Sequence, residues 1–125
     1  MTIAPNFILA YVADPTRSAE LYGKLLDSQP VESSPTFVMF MLPNGMALGL
    51  WARNEVEPKA TLPGGSEICF PVESDEAVHL TREAWAKLGL RIIQEPAKMD
   101  FGFTFTAADP DGHRLRVFNP SDPTG

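Results

Sequence analysis

The side chains able to do covalent or metal chemistry are few. The chain carries one cysteine, Cys69, and two histidines, His79 and His113. A thiol attacks only as thiolate, which needs a base or cation beside it. No partner base is evident near Cys69, which reads as a small buried hydrophobe. His79 falls inside a helical stretch and His113 directly follows a turn, so the two are not placed as a ligand pair. Aromatic surface, by contrast, is plentiful: two Trp, two Tyr and eight Phe. Such side chains stack on flat rings or fill a core.

The elements that must position these residues occur twice. "LPNGMALGLW" (42–51) and "DPDGHRLRVF" (109–118) both read as a Pro-Asn/Asp-Gly turn followed by an alternating strand. Asn-Gly and Asp-Gly favour two-residue hairpins because both central positions tolerate positive φ. Apolar strands, "TFVMFM" and "FGFTFTAA", precede them. Further upstream, each half shows a strand and then a helix. Asp14 with Pro15 caps the first helix, and Ala19, Tyr22 and Leu26 form its apolar stripe. Ser74 caps the second, whose stripe is Ala77, Leu80, Ala84 and Leu88, widened by Val78 and Trp85 and ended by Gly89.

The chain thus reads as a single α+β domain of two β-α-β-β-β repeats, 1–52 and 66–125, joined by a Pro/Gly-rich linker at 53–65. Elements are predicted near 5–12, 15–27, 29–33, 36–42 and 46–52, then 66–72, 75–88, 91–95, 102–108 and 113–118.

Composition narrows the function. The 125 residues are 44% hydrophobic and 21% charged, ordinary for a globular protein. A formal charge of −6 leaves no basic face for nucleic acid or an anionic membrane. One cysteine allows no internal disulfide, and neither a signal sequence nor a run of transmembrane length is present. These features predict a cytoplasmic protein.

The paired modules, "VADPTRSAELYGKLL" in the first half and the D-P-D-G hairpin near the end make the chain resemble the vicinal oxygen chelate superfamily. That group includes glyoxalases, extradiol dioxygenases, fosfomycin-inactivating enzymes and bleomycin-resistance binding proteins. "LGLW" and "SEICF" look most like its antibiotic-binding branch, which includes phenazine-resistance proteins. The resemblance implies two sheets curled into a cup, often completed across a homodimer, and the linker gives room for domain swapping.

In metal-using members, four ligands enter from the first and last strands of each module. By spacing from the helix starts and hairpins, these places fall on Phe7, Gly49, Glu67 and Arg116. Only Glu67 is a donor, and a divalent cation needs three or four. The resemblance therefore implies a cup with no metal and no other cofactor.

Strand alternation adds Tyr11, Trp51 and Phe118 to that cup. Two-residue turns would set Phe40 opposite Gly49, Val38 opposite Trp51 and Phe105 opposite Phe118. Each residue has a second reading. Trp51 is a stacking platform or core; Gly49 is a strand bend or makes room for a ring; Phe40 and Phe105 also fit plain core packing. Glu67 and Arg116 can pair with each other, and Arg116 can still offer its planar face or spare donors to a ligand.

Together these features predict metal-free binding and sequestration of a planar aromatic compound, such as an antibiotic. The alternative is a lyase, dioxygenase or isomerase with an altered metal site, in which Glu67 in apolar surroundings takes a raised pKa and serves as a base. A purely structural module would instead fill the cup with its own side chains.

Overall fold

The computed structural model describes residues 3–121; the outermost residues of the two expected repeats, 1–2 and 122–125, lie outside the described residues. The chain forms two compact units, the first ending at Leu62 and the second starting at Pro63. Each holds one helix and one four-stranded mixed sheet, which makes the fold α+β as the sequence predicts. No helix among the described residues is long and apolar enough to cross a membrane.

The first unit runs β1 (Phe7–Val12), α1 (Pro15–Leu26), β2 (Glu32–Ser33), β3 (Phe37–Met41) and β4 (Ala47–Ala52), then a single 3-10 turn, Arg53–Glu55. Its sheet order is β1-β4-β3-β2, with β1 parallel to β4 and the other pairs antiparallel. Asp14 caps α1 by accepting from the Arg17 amide at 3.3 Å, and Pro15 opens the helix with its φ already set. The core lies between α1 and the sheet, where Tyr22, Val12, Val38, Phe40, Leu48 and Leu50 are all buried.

The second unit runs β5 (Glu67–Pro71), α2 (Asp75–Lys87), β6 (Arg91–Met99), β7 (Gly102–Ala108) and β8 (Arg114–Pro120). Its order, β5-β8-β7-β6, repeats the first, with β5 parallel to β8. Ser74 caps α2 by accepting from the Ala77 amide at 3.0 Å, and Asp75 and Glu76 complement the helix dipole. The stripe of α2 is rotated from the predicted one. Val78 and Trp85 are buried, whereas Leu80 is 62% exposed. Trp85 sets that rotation, because its ring packs edge-on against Phe70 and Phe105 at 5.3 and 5.5 Å.

β6 extends past its predicted end at residue 95, to Met99. It is an edge strand, so Pro96 removes no ladder bond that the sheet requires. Its pairing with β7 slips between Ile92 and Gln94 and again between Gln94 and Ala97.

Both hairpins depart from the predicted two-residue loop. Gly45 donates to Leu42 O at 3.0 Å and Leu42 donates to Met46 O at 2.8 Å. Gly112 and Asp109 repeat the pattern with Asp109 and His113. Gly45 and Gly112 have φ of 90° and 93°. This is a type I turn followed by a left-handed glycine, a three-residue loop with a bulge.

The extra residue moves the register by one. Met39, not Phe40, pairs with Gly49; Phe37, not Val38, pairs with Trp51; Thr104, not Phe105, pairs with Phe118. Phe40 and Phe105 are fully buried on the helix side, so their assignment to an open cup is corrected.

Candidate functional site

On the second sheet, the side chains directed away from α2 converge on Arg116. Its Nε and Nη2 donate to the two carboxylate oxygens of Glu67 at 2.9 and 3.0 Å. This fork-to-fork arrangement is a geometry that lysine cannot reproduce. Nη1 donates to Gln94 Oε1 at 3.0 Å and to Thr104 Oγ1 at 3.2 Å. Thr106 Oγ1 donates to the same Gln94 oxygen at 3.0 Å. The guanidinium carbon lies 5.5 Å from the centroid of Phe101, whose ring meets Phe118 edge-on at 6.1 Å.

The guanidinium is thus fixed in position and orientation on a sheet face that also carries two aromatic rings. Arg116 and Glu67 side chains are 15% and 28% exposed, so water still reaches the pair.

These contacts set the electrostatics. The hydrogen bonds from Arg116 hold the Glu67 carboxyl below its ordinary 4.5, outweighing the partial burial that pushes the other way; the charges of Arg116 and Arg114 add to the lowering. The raised pKa required for Glu67 as a base is therefore absent, and its sign is reversed. Arg116 is pushed further up by the same pair. Cys69, expected buried, is exposed. Its thiol is nonetheless pushed above the ordinary range, by partial desolvation first and the Glu67 charge second. That disfavours the thiolate a nucleophile needs.

The outer face of the first sheet is an apolar grid three residues wide on three adjacent strands. In register it reads Tyr11–Trp51–Phe37, Leu9–Gly49–Met39 and Phe7–Ala47–Met41. Phe7, Leu9 and Met41 are 40–45% exposed, while Trp51 is half-buried with Tyr11 edge-on at 6.3 Å. Gly49 occupies the centre. A Cβ there would stand 2.8 Å from Leu9, 2.9 Å from Phe7 and 3.0 Å from Phe37. The missing side chain is therefore taken up by neighbours leaning inward, and the space a flat ring would have entered at Gly49 is closed by Phe7, Leu9 and Phe37.

The four places that could hold a metal ligand do not fit a cation. Phe7 and Gly49 offer no donor, and Glu67 is bound through both oxygens to a guanidinium. Among the described residues no group of three or more His, Cys, Asp or Glu side chains could hold a metal ion. His79 packs against Phe103 at 5.1 Å, and the His113 amide donates to Asp109 Oδ1.

The structure brings Glu67, Arg116 and Phe118 to one face, and Phe7, Tyr11, Gly49 and Trp51 to the other sheet's outer face. It withdraws Phe40 and Phe105. Sequence reasoning missed Gln94, Thr104, Thr106 and Phe101. For the two threonines a signal was available: in "FTFT", polar residues alternate with phenylalanines, and Thr106 is the cross-strand partner of Arg116. Gln94 had none, because its strand has an irregular register.

Comparison with known proteins agrees with this architecture. Residues 4–117 match the sequence profile of the Glyoxalase/Bleomycin resistance protein/Dioxygenase superfamily. The phenazine antibiotic resistance protein EhpR of Enterobacter agglomerans is 35% identical over 119 residues, 93% of this chain and 92% of its own. A protein of Agrobacterium tumefaciens solved by solution NMR is 52% identical with a TM-score of 0.91, over 97% of this chain and 100% of its own. A glyoxalase-related enzyme from Fulvimarina pelagi shares the fold, with a TM-score of 0.84 at 21% identity over 100% of this chain and 96% of its own. With nearly its whole length matched, the chain belongs to the Glyoxalase/Bleomycin resistance protein/Dioxygenase superfamily.

Proposed function

We propose that this protein binds and sequesters a planar aromatic small molecule, an antibiotic of the phenazine kind, without a metal and without chemical turnover. The observation that carries the reading is the replacement of a metal donor set by a closed Arg116–Glu67 pair beside aromatic rings. Similarity to a phenazine antibiotic resistance protein supports the ligand class. Burial of ring area gives about 25 cal/mol per Å² and stacking about 0.5–1.5 kcal/mol per aromatic pair. Binding therefore needs no bond to be broken. A catalytic base at Glu67 is disfavoured, because a carboxylate held ionised by a guanidinium is a poor proton acceptor.

On this reading Trp51 is the stacking platform with Phe7 and Tyr11 beside it on the first sheet, and on the second sheet Phe118 is apolar border while Arg116 faces a carboxylate or polarised oxygen. Residues 1–52 and 66–125 act as two repeats of one binding domain, linked by 53–65, and the protein works as a homodimer. Titration with phenazine-1-carboxylate tests the function. Trp51 emission is expected to be quenched, whereas Trp85, 5% exposed and enclosed by Phe70 and Phe105, stays silent. Trp51→Ala is expected to weaken binding by about 1–3 kcal/mol, roughly 5- to 150-fold. Stoichiometric, tightly held divalent metal in the purified protein would overturn the reading, as would unchanged affinity in Trp51→Ala.

A further inference from the structure

Gln94 is a member of the Arg116 cluster whose amide N–H groups the cluster itself leaves underused. Arg116 is donor-only, so the atom of Gln94 that it meets at 3.0 Å must be the amide oxygen. Thr106 Oγ1 donates to that same oxygen at 3.0 Å. Two donors on one oxygen fix the orientation of the amide plane and leave Nε2 pointing elsewhere. Its partner there is Met99 Sδ at 3.3 Å, a weak thioether acceptor on a flexible side chain that is 42% exposed. A ligand oxygen would replace that sulfur with a stronger acceptor, and Met99 can move aside into solvent.

Two independent features support a built position. The β6 ladder slips on both sides of Gln94, and such irregularities re-aim a side chain at the cost of regular pairing. The charge on this face also has a sign. The outward positions of β5 and β8 carry Arg114 and Arg116 against Glu67, one positive charge in excess on a chain whose net charge is −6. Both guanidiniums act on the Glu67 carboxylate. An anionic edge brought to this face meets a local field opposite to that of the whole molecule.

We propose that Gln94 is a specificity-determining residue, whose Nε2 N–H donates to an acceptor oxygen on the rim of the aromatic ligand, so that rings bearing an edge carboxylate are selected. This inference rests on the ring-binding reading above and deepens it. Gln94 holds Arg116 through its oxygen and reads the ligand through its nitrogen. Arg116 supplies the field and Phe101 and Phe118 the apolar border.

Calorimetric titration of the full chain with phenazine, phenazine-1-carboxylate and phenazine-1-carboxamide, before and after Gln94→Glu, tests it. The substitution keeps an acceptor oxygen for Arg116 and Thr106 but exchanges the N–H for a second oxygen. Wild type is expected to bind the carboxylate about tenfold or more tightly than phenazine. In Gln94→Glu the carboxylate is expected to lose about tenfold or more, phenazine to stay within about twofold, and the carboxamide, which can donate to the new carboxylate, to hold or gain. An unchanged carboxylate-to-carboxamide ratio, or a uniform loss across all three compounds, overturns the role of Gln94 alone. Failure of wild type to bind any of the three overturns the ring-binding reading, and this assignment with it.

Discussion

Arg116 shows how one side chain can be both structural and available. Its fork is spent on Glu67, yet the contacts to Gln94, Thr104 and Phe101 hold the guanidinium plane beside open aromatic surface. The pair has a pH signature. Arg116 holds the folded-state pKa of Glu67 below its ordinary 4.5. The stabilisation is therefore fully present above that value and is lost as pH falls through the lower folded value. Glu67→Gln is expected to lower stability by about 1 kcal/mol at neutral pH, a modest figure because solvent screens the pair. The gap between the two proteins in urea unfolding should close on acidification below about pH 4.5. A gap that widens in acid would contradict the assignment. Glu95, held low by the exposed Arg82 pair, titrates equally in both proteins and cancels in the comparison.

The decisive element is the hairpin. One extra residue in each turn exchanges the partners of every residue on β3 and β7, because side chains alternate with period two. Phe105 therefore packs on Trp85 under α2, and Thr104 takes the place opposite Phe118. The energetic consequence is measurable. Phe105→Ala is expected to cost about 3–5 kcal/mol in denaturant unfolding, the scale of a large-to-small change in a closed core. Ligand affinity of the folded fraction should stay unchanged. Phe118→Ala, at a half-buried position, is expected to cost far less stability while weakening binding. The reverse pattern would place Phe105 on the binding face after all.

For the whole molecule, the apolar grid of the first sheet bears on assembly. Phe7, Leu9 and Met41 each leave two-fifths or more of their surface exposed on an apolar patch across β1, β4 and β3, which Glu32 on β2 borders. Monomeric proteins seldom leave such a patch uncovered. Association into a homodimer is expected, and sedimentation equilibrium at micromolar concentration should give twice the 13.7 kDa chain mass. A monomer across that range would count against it. The 53–65 segment is long enough for repeats to exchange between chains, and two identical binding sites then follow from two-fold symmetry.

The repeat, the helix caps, the succession of elements within each half and the poverty of metal donors were all legible in the sequence. They rest on local signals: Asp14 before Pro15, Ser74 before Ala77, alternation along "ALGLW", and residue type at Phe7 and Gly49. The turn length was not legible, since Pro-Asn-Gly suits a two-residue loop and a bulged three-residue one alike. Only the ladder across β3 and β4 decides between them, by burying Phe40 rather than Phe37. Nor could the sequence show that Gln94 and Thr104 share a guanidinium with Glu67. Those residues are separated by up to 37 positions along the chain, and the contact exists only because β5, β8, β7 and β6 lie side by side. Local chemistry fixed the elements. Long-range pairing, with its period of two, decided which side chains face the site.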